Sequence, residues 1–313
     1  MQKTGSTYLQ SALKRNYDAL LQQNIAYFED SYHLPLEIIN AHKKGFNEAL
    51  IAKVRSIVTK SVDSKKQVLF SSEGFIGTPT LHYADLNLKI EFLRKVFRDL
   101  DLTIILYVRR QDSFYQSYYI QQIHEGHTPS LSDFIERLPI ACLDWWNYIN
   151  KFAQIPNVRL VVRPYCKKAL INHDIFDDFL NIIDVQLEEK SSMIDAHVNK
   201  SYSETALKVA FAMNKILDND TQKWTLRKLL QNTSSQEPFS PRQIFPSHVM
   251  RKALTLHTKG NRKLIERYWQ GTDYLEMLTT SKELNQDTFD PSSVTCKDYE
   301  SVLCQMVQHI KIS

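Results

Sequence analysis

Leu102-Thr-Ile-Ile-Leu-Tyr-Val108 is the stretch on which the fold turns. It is a continuous apolar run, the kind of strand that a parallel sheet buries on both faces. At seven residues it is far below the roughly 20 apolar residues that a membrane-spanning helix needs. Working outward, strand and helix patterns alternate. Ile25 to Phe28 and Val158 to Arg163 read as strands, and Gln67-Val-Leu-Phe-Ser-Ser-Glu73 as a strand running into a loop. Helices are expected over 6–24, 35–61, 84–100, 112–125, 131–138, 144–154 and 174–183. In 84–100 the buried stripe is Leu86, Ile90, Leu93 and Val96. Such alternation defines an α/β fold with a parallel sheet. After about residue 200 only helical patterns remain, over 203–217, 221–231, 247–269 and 297–311. Loops are expected from Asn232 and from Asn285 to Ser293. Residues 1–313 read as one domain, with an α/β core over 1–200 and a mostly helical part over 201–313.

Composition narrows the function. The chain has 313 residues, 43% hydrophobic and 24% charged, enough for a large core. Collagen, low-complexity disorder and a disulfide scaffold are excluded. A net charge of +4 suits an anionic ligand but not a dedicated nucleic-acid binder. Cys142, Cys166, Cys296 and Cys304 form no CxxC pair and read as reduced thiols of a cytoplasmic protein. Polar Gln2, Lys3 and Thr4 directly after Met1 do not read as a secretory leader. The seven glycines lie at 5, 45, 74, 77, 126, 260 and 271. They spell neither a GxGxxG fingerprint nor a Walker A loop. One glycine, Gly5, has the neighbours of a phosphate-binding loop.

That neighbourhood is Gln2-Lys-Thr-Gly-Ser-Thr-Tyr-Leu-Gln10. Lys3, Thr4, Gly5, Ser6 and Thr7 stand just before a helix. The helix start offers free N–H groups and the positive dipole end. Gly5 permits close backbone approach, while Lys3, Ser6 and Thr7 add a charge and two donors. The alternative is a Ser/Thr-capped surface helix. A second motif, Arg109-Arg-Gln-Asp-Ser-Phe-Tyr-Gln-Ser117, follows the apolar strand at its carboxyl end. Open α/β sheets bind ligands there. Arg109 as a fork and Ser117 as a donor can grip one phosphate. Alternatively, Arg109 pairs with Asp112 at the surface.

Together the two motifs resemble those of sulfotransferases that use 3′-phosphoadenosine 5′-phosphosulfate (PAPS). Lys3-Thr-Gly-Ser-Thr-Tyr-Leu-Gln10 is similar to their 5′-phosphosulfate loop. Arg109-x7-Ser117, followed by Tyr119 and Gln121, is similar to their 3′-phosphate motif. The resemblance is nearest to bacterial members and extends over residues 1 to about 270. The strand end at Tyr165, the Asp174–Phe179 helix and the Asn261-Arg-Lys-Leu region match more loosely. The resemblance implies a P-loop-type three-layer fold with a central parallel sheet. It implies PAPS as cosubstrate and no metal. It assigns Lys3 to the bridging and leaving oxygens, and Ser6, Thr7 and the loop N–H groups to the phosphosulfate. Arg109 and Ser117 go to the 3′-phosphate, and Tyr165 to the adenine.

The acceptor hydroxyl needs a base. Small-molecule members carry a histidine where this chain has Glu73, and many carbohydrate members carry a glutamate there. The resemblance therefore implies Glu73 as general base and a carbohydrate or glycoconjugate acceptor, such as a bacterial surface polysaccharide or glycolipid. His82 is the competing base. Trp145 and Trp146 read either as a sugar platform or as core and interface residues. His257-Thr-Lys-Gly260 reads either as a basic loop near the 3′-phosphate or as a helix end capped by Gly260. Family members have a strand just before the phosphosulfate loop, so the resemblance implies that the first strand is missing and the chain truncated by about ten residues. The competing functions are a P-loop nucleotide kinase and a catalytically inactive binding module of the same fold.

Overall fold

The computed structural model describes residues 1–45, 47–64, 66–187, 202–234, 243–270, 274 and 288–312. The chain divides into two compact units, each assembled from three stretches. The first comprises Met1–Arg110, Leu138–Ser192 and Leu256–Thr280. The second comprises Gln111–Arg137, Met193–Thr255 and Ser281–Ser313.

The first unit is mixed α/β. It opens with α1 (Ser6–Arg15) and α2 (Tyr17–Gln22), where one helix over 6–24 was expected. Asn16 breaks it. Its side-chain amide donates to Ala12 O at 2.9 Å, competing with the helical ladder. Then come β1 (Ile25–Phe28), α3 (Leu34–Lys43), α4 (Asn47–Asp63) and β2 (Gln67–Phe70). After α5 (Leu86–Val96) runs β3 (Leu102–Val108), with the bounds read from the sequence. Leu86, Ile90, Leu93 and Val96 are buried as the stripe requires.

β1 and β2 are parallel, in register from Ile25 opposite Gln67 to Phe28 opposite Phe70. β3 is parallel to β4 (Val158–Pro164), from Leu102 opposite Val158 to Val108 opposite Pro164. The described strands thus form two ribbons rather than one central sheet. This also corrects the burial expected of β3. Leu106, Tyr107 and Val108 are buried, but the upstream half is partly exposed. Among the described residues no second strand covers its other edge.

Helices line both faces of β2. Leu69 packs on a core of Leu9, Leu13, Leu20, Phe176 and Phe179, while Phe70 packs on Ile38, Val54, Phe92 and Val96. Ile105 of β3 joins the first of these cores. Phe176 and Phe179 come from α9 (Ile175–Ile182), whose cap Asp174 accepts from the Phe176 and Asp177 amides.

The second unit holds α6 (Gln111–His124) and α7 (Leu131–Arg137). The first unit resumes with α8 (Trp145–Phe152). The second unit continues with α10 (Glu204–Met213), α11 (Asp220–Thr233) and α12 (Ser247–Thr255). Its core is aromatic, with Tyr115, Tyr119, Phe134 and Phe245 in mutual edge and tilted contact. The helix expected over 247–269 is two. α13 (Thr258–Tyr268) starts after a break at His257, whose buried ring donates to Ile140 O at 2.8 Å. Gly260 lies inside α13, so the cap expected of it is corrected. A Cβ there would meet Trp146 Cβ at 3.1 Å, and glycine allows that approach. The chain closes with α14 (Cys296–Ile312). α11 runs to Thr233, past the Asn232 at which a loop is expected; 235–238 and 285–287 lie outside the described residues, and 288–293 hold no helix or strand. Among the described residues no helix is long and apolar enough to cross a membrane.

Candidate functional site: a loop gathered by two strand ends

Residues 2–5 turn sharply before α1. Lys3 has φ +60° and Gly5 has φ +76°, both left-handed. A lysine rarely accepts that conformation, so the surrounding contacts must hold it. Gly5 is the N-cap of α1, and its carbonyl accepts the Leu9 amide at 3.0 Å. The N–H groups of the first turn therefore begin at the loop. Left-handed residues beside a helix start make a concave array of N–H groups suited to an anion. Thr4 is buried and turned inward, its hydroxyl donating to Met1 O at 2.5 Å. Ser6 is half-buried and Thr7 exposed at the same helix start.

Two strand ends reach this loop. Arg109 follows β3, and its guanidinium donates to Lys3 O at 2.9 Å. Its own carbonyl accepts from Trp145 Nε1 at 2.9 Å. Trp145 is thus fully buried and fixes the backbone of Arg109, whereas Trp146 is half-exposed against Lys263. Tyr165 follows β4, and its amide donates to Val108 O at 2.7 Å. The phenol covers Gly5, where a Cβ would sit 3.0 Å from Tyr165 Oη. Burial pushes the Tyr165 phenol up, and Arg109 nearby opposes it.

Below these ends a buried network locks β3, β4 and α9 together. Asp178 is fully buried and accepts from Arg163 Nε at 3.1 Å, Arg163 Nη2 at 2.5 Å and Tyr107 Oη at 2.9 Å. Tyr8 of α1 donates to Asp174 at 2.6 Å and ties the loop's own helix to α9.

Glu73 stands on the other flank, three residues beyond β2. Gln10 of α1 donates to Glu73 Oε2 and to Ser71 O, both at 3.2 Å. Gln2 donates to Gly77 O at 2.6 Å. Burial, then the charges of Glu29 and Glu73, push Tyr27 up to about 12. His82, the competing base, is exposed on a left-handed turn.

Arg109 therefore meets the loop at Lys3 O and Tyr165 meets it at Gly5, while Glu73 is tied to α1 by Gln10. Ser117 lies half-buried on α6, in the second unit. Tyr119, from the same motif, is a core residue whose hydroxyl donates to Pro129 O at 3.0 Å. Sequence reasoning missed Gln2, Gln10 and the bond from Trp145. Their polar groups act through backbone carbonyls distant in the chain, and no local spacing announces that. No protein-family model, curated protein or solved structure matches the chain.

Proposed function

We propose that this protein transfers a sulfuryl group from PAPS to a hydroxyl of a carbohydrate acceptor. One observation carries the reading: the left-handed Lys3–Gly5 loop is held between Arg109 and Tyr165 at the carboxyl ends of β3 and β4. Helices on both faces of β2 and parallel pairing in both ribbons support a P-loop-type three-layer arrangement. The residues present fit the cosubstrate. Amides and a lysine suit its phosphosulfate, a guanidinium suits a phosphate, and a tyrosine face suits its purine.

PAPS supplies a sulfuryl group already activated by a good leaving phosphate. Glu73 takes the proton of the acceptor hydroxyl as that oxygen bonds to sulfur. The bond from sulfur to the phosphate oxygen breaks, and Lys3 with the α1 amides holds the negative charge left there. Arg109 holds the 3′-phosphate and so fixes the reacting end. Such a reaction is governed by positioning and electrostatics.

Calorimetry with 3′-phosphoadenosine 5′-phosphate tests the reading. Binding that weakens in Arg109→Ala is the expected result. No binding, or ATP binding that requires Mg²⁺, turns the assignment toward an inactive module or a kinase. The reaction is assayed with radiolabelled PAPS and a panel of neutral and uronic-acid oligosaccharides.

A further inference from the structure

A buried ion pair sits beside the Glu73 turn and is used by none of the chemistry above. Lys89 of α5 is about 1% exposed and pairs with Asp85, one helical turn earlier, whose side chain is 7% exposed. Asp85 occupies the N-cap of α5, where a carboxylate normally accepts from the first helical amides. It makes no such bond. Its oxygens instead accept from the Thr78 amide at 2.8 Å and the Thr78 hydroxyl at 2.7 Å. Lys89 Nζ donates to Gly74 O at 2.7 Å as well as to Asp85.

The pair therefore grips both ends of the 74–78 turn, which directly follows Glu73. Its middle is bound on the opposite side, where Gly77 O accepts from Gln2 of the anion loop at 2.6 Å. Gly77 itself has φ +109°, and a Cβ there would meet Tyr83 at 3.1 Å and Asp85 Oδ1 at 3.2 Å. Stability alone does not explain a buried ion pair, because an apolar pair of similar volume does as well or better. An apolar pair cannot hold a carbonyl at one end of a turn and an amide at the other.

We infer that Asp85 and Lys89 are positioning residues that set the Glu73 turn against the anion loop, so that the base stands at the reacting hydroxyl. The inference rests on Glu73 being that base. The test is a mutant cycle between Glu73→Gln and the neutral pair Asp85→Asn/Lys89→Met, which leaves no unpaired buried charge. Release of 3′-phosphoadenosine 5′-phosphate from PAPS is followed with the oligosaccharide panel, beside calorimetry with the same nucleotide. The neutral pair is expected to lose roughly 10- to 100-fold in kcat, less than the roughly 10²- to 10⁴-fold of removing a general base outright. Acceptor KM and nucleotide affinity should stay within about threefold. In the Glu73→Gln background it should cost nothing further, and hydrogen exchange of the 74–78 amides should rise. If the neutral pair does not fold, Thr78→Val, which keeps the ion pair, carries the same cycle. An unchanged kcat, or losses that multiply with Glu73→Gln, overturns the positioning role alone. Full turnover by Glu73→Gln overturns the base and this inference with it.

Discussion

The two flanks of the Lys3–Gly5 loop are built on different principles. On the β3–β4 flank a seven-residue parallel ladder runs up to the site. Arg109 and Tyr165 leave it with their backbones already fixed by Trp145 and Val108. On the β2 flank the ladder is four residues long and stops at Phe70. Beyond it the chain is held largely by side chains, Ser31, Gln2, Gln10, Asp85 and Lys89 among them. Arg109 and Tyr165 are thus carried by a ladder, and Glu73 by side-chain tethers. The tethered flank should respond to single substitutions in turnover, and the laddered flank in nucleotide affinity.

Glu73→Gln gives the largest effect under this division. Turnover should fall by roughly 10²- to 10⁴-fold, the usual contribution of a general base, with nucleotide affinity little changed. Steady-state rates and calorimetry on one preparation decide it, and a large loss of affinity would erase the contrast between the flanks. Arg109→Ala comes next. A lost charge-assisted hydrogen bond costs about 1.5–3 kcal/mol, so affinity for 3′-phosphoadenosine 5′-phosphate should drop by roughly 10- to 150-fold. Gly5→Ala should cost about 1–2 kcal/mol from the left-handed backbone, read as a lower thermal midpoint. The Cβ also presses on the Tyr165 hydroxyl, so Tyr165→Phe should restore part of that loss.

The smallest effect is a pH dependence. Burial pushes the Asp85 carboxyl up, but hydrogen bonds from Lys89 and Thr78 outweigh it and hold it below its ordinary 3.8. A depressed carboxyl stabilises the fold fully above its unfolded value, and that share is lost as pH falls through the folded value. Thermal midpoints should therefore decline below about pH 3.8, and less steeply in Asp85→Asn. At the other extreme, burial raises Tyr27, Tyr118 and Tyr119 from 10.0 to about 12. Their contribution is complete below pH 10 and lost as pH rises toward 12, for both units.

Much of the fold was legible because strands and helices write their periods locally. The bounds of β3 follow from one apolar run, and the stripe of α5 from the spacing of four side chains. The Lys3–Gly5 loop stood out for a similar reason, since lysine, glycine and hydroxyls are adjacent in the chain. The breaks at Asn16 and His257 were not, because each depends on where one polar side chain finds its partner. The same limit hid the bonds that assemble the site. Gln2 meets Gly77 and Trp145 meets Arg109 across 75 and 36 residues, distances that no pattern in a single sequence spans. The separation of the strands into two ribbons lies in pairing partners, and periodicity carries no information on those.

The interleaving of the two units bears on how the chain is made. Each unit needs three stretches, and the last stretch of the first begins at Leu256. A growing chain that has emerged as far as Arg110 holds the Lys3–Gly5 loop, Glu73 and Arg109. It lacks β4, the buried Asp178 that clamps Tyr107, and α13. Because each unit is assembled from stretches far apart in the chain, no single cut releases either one whole.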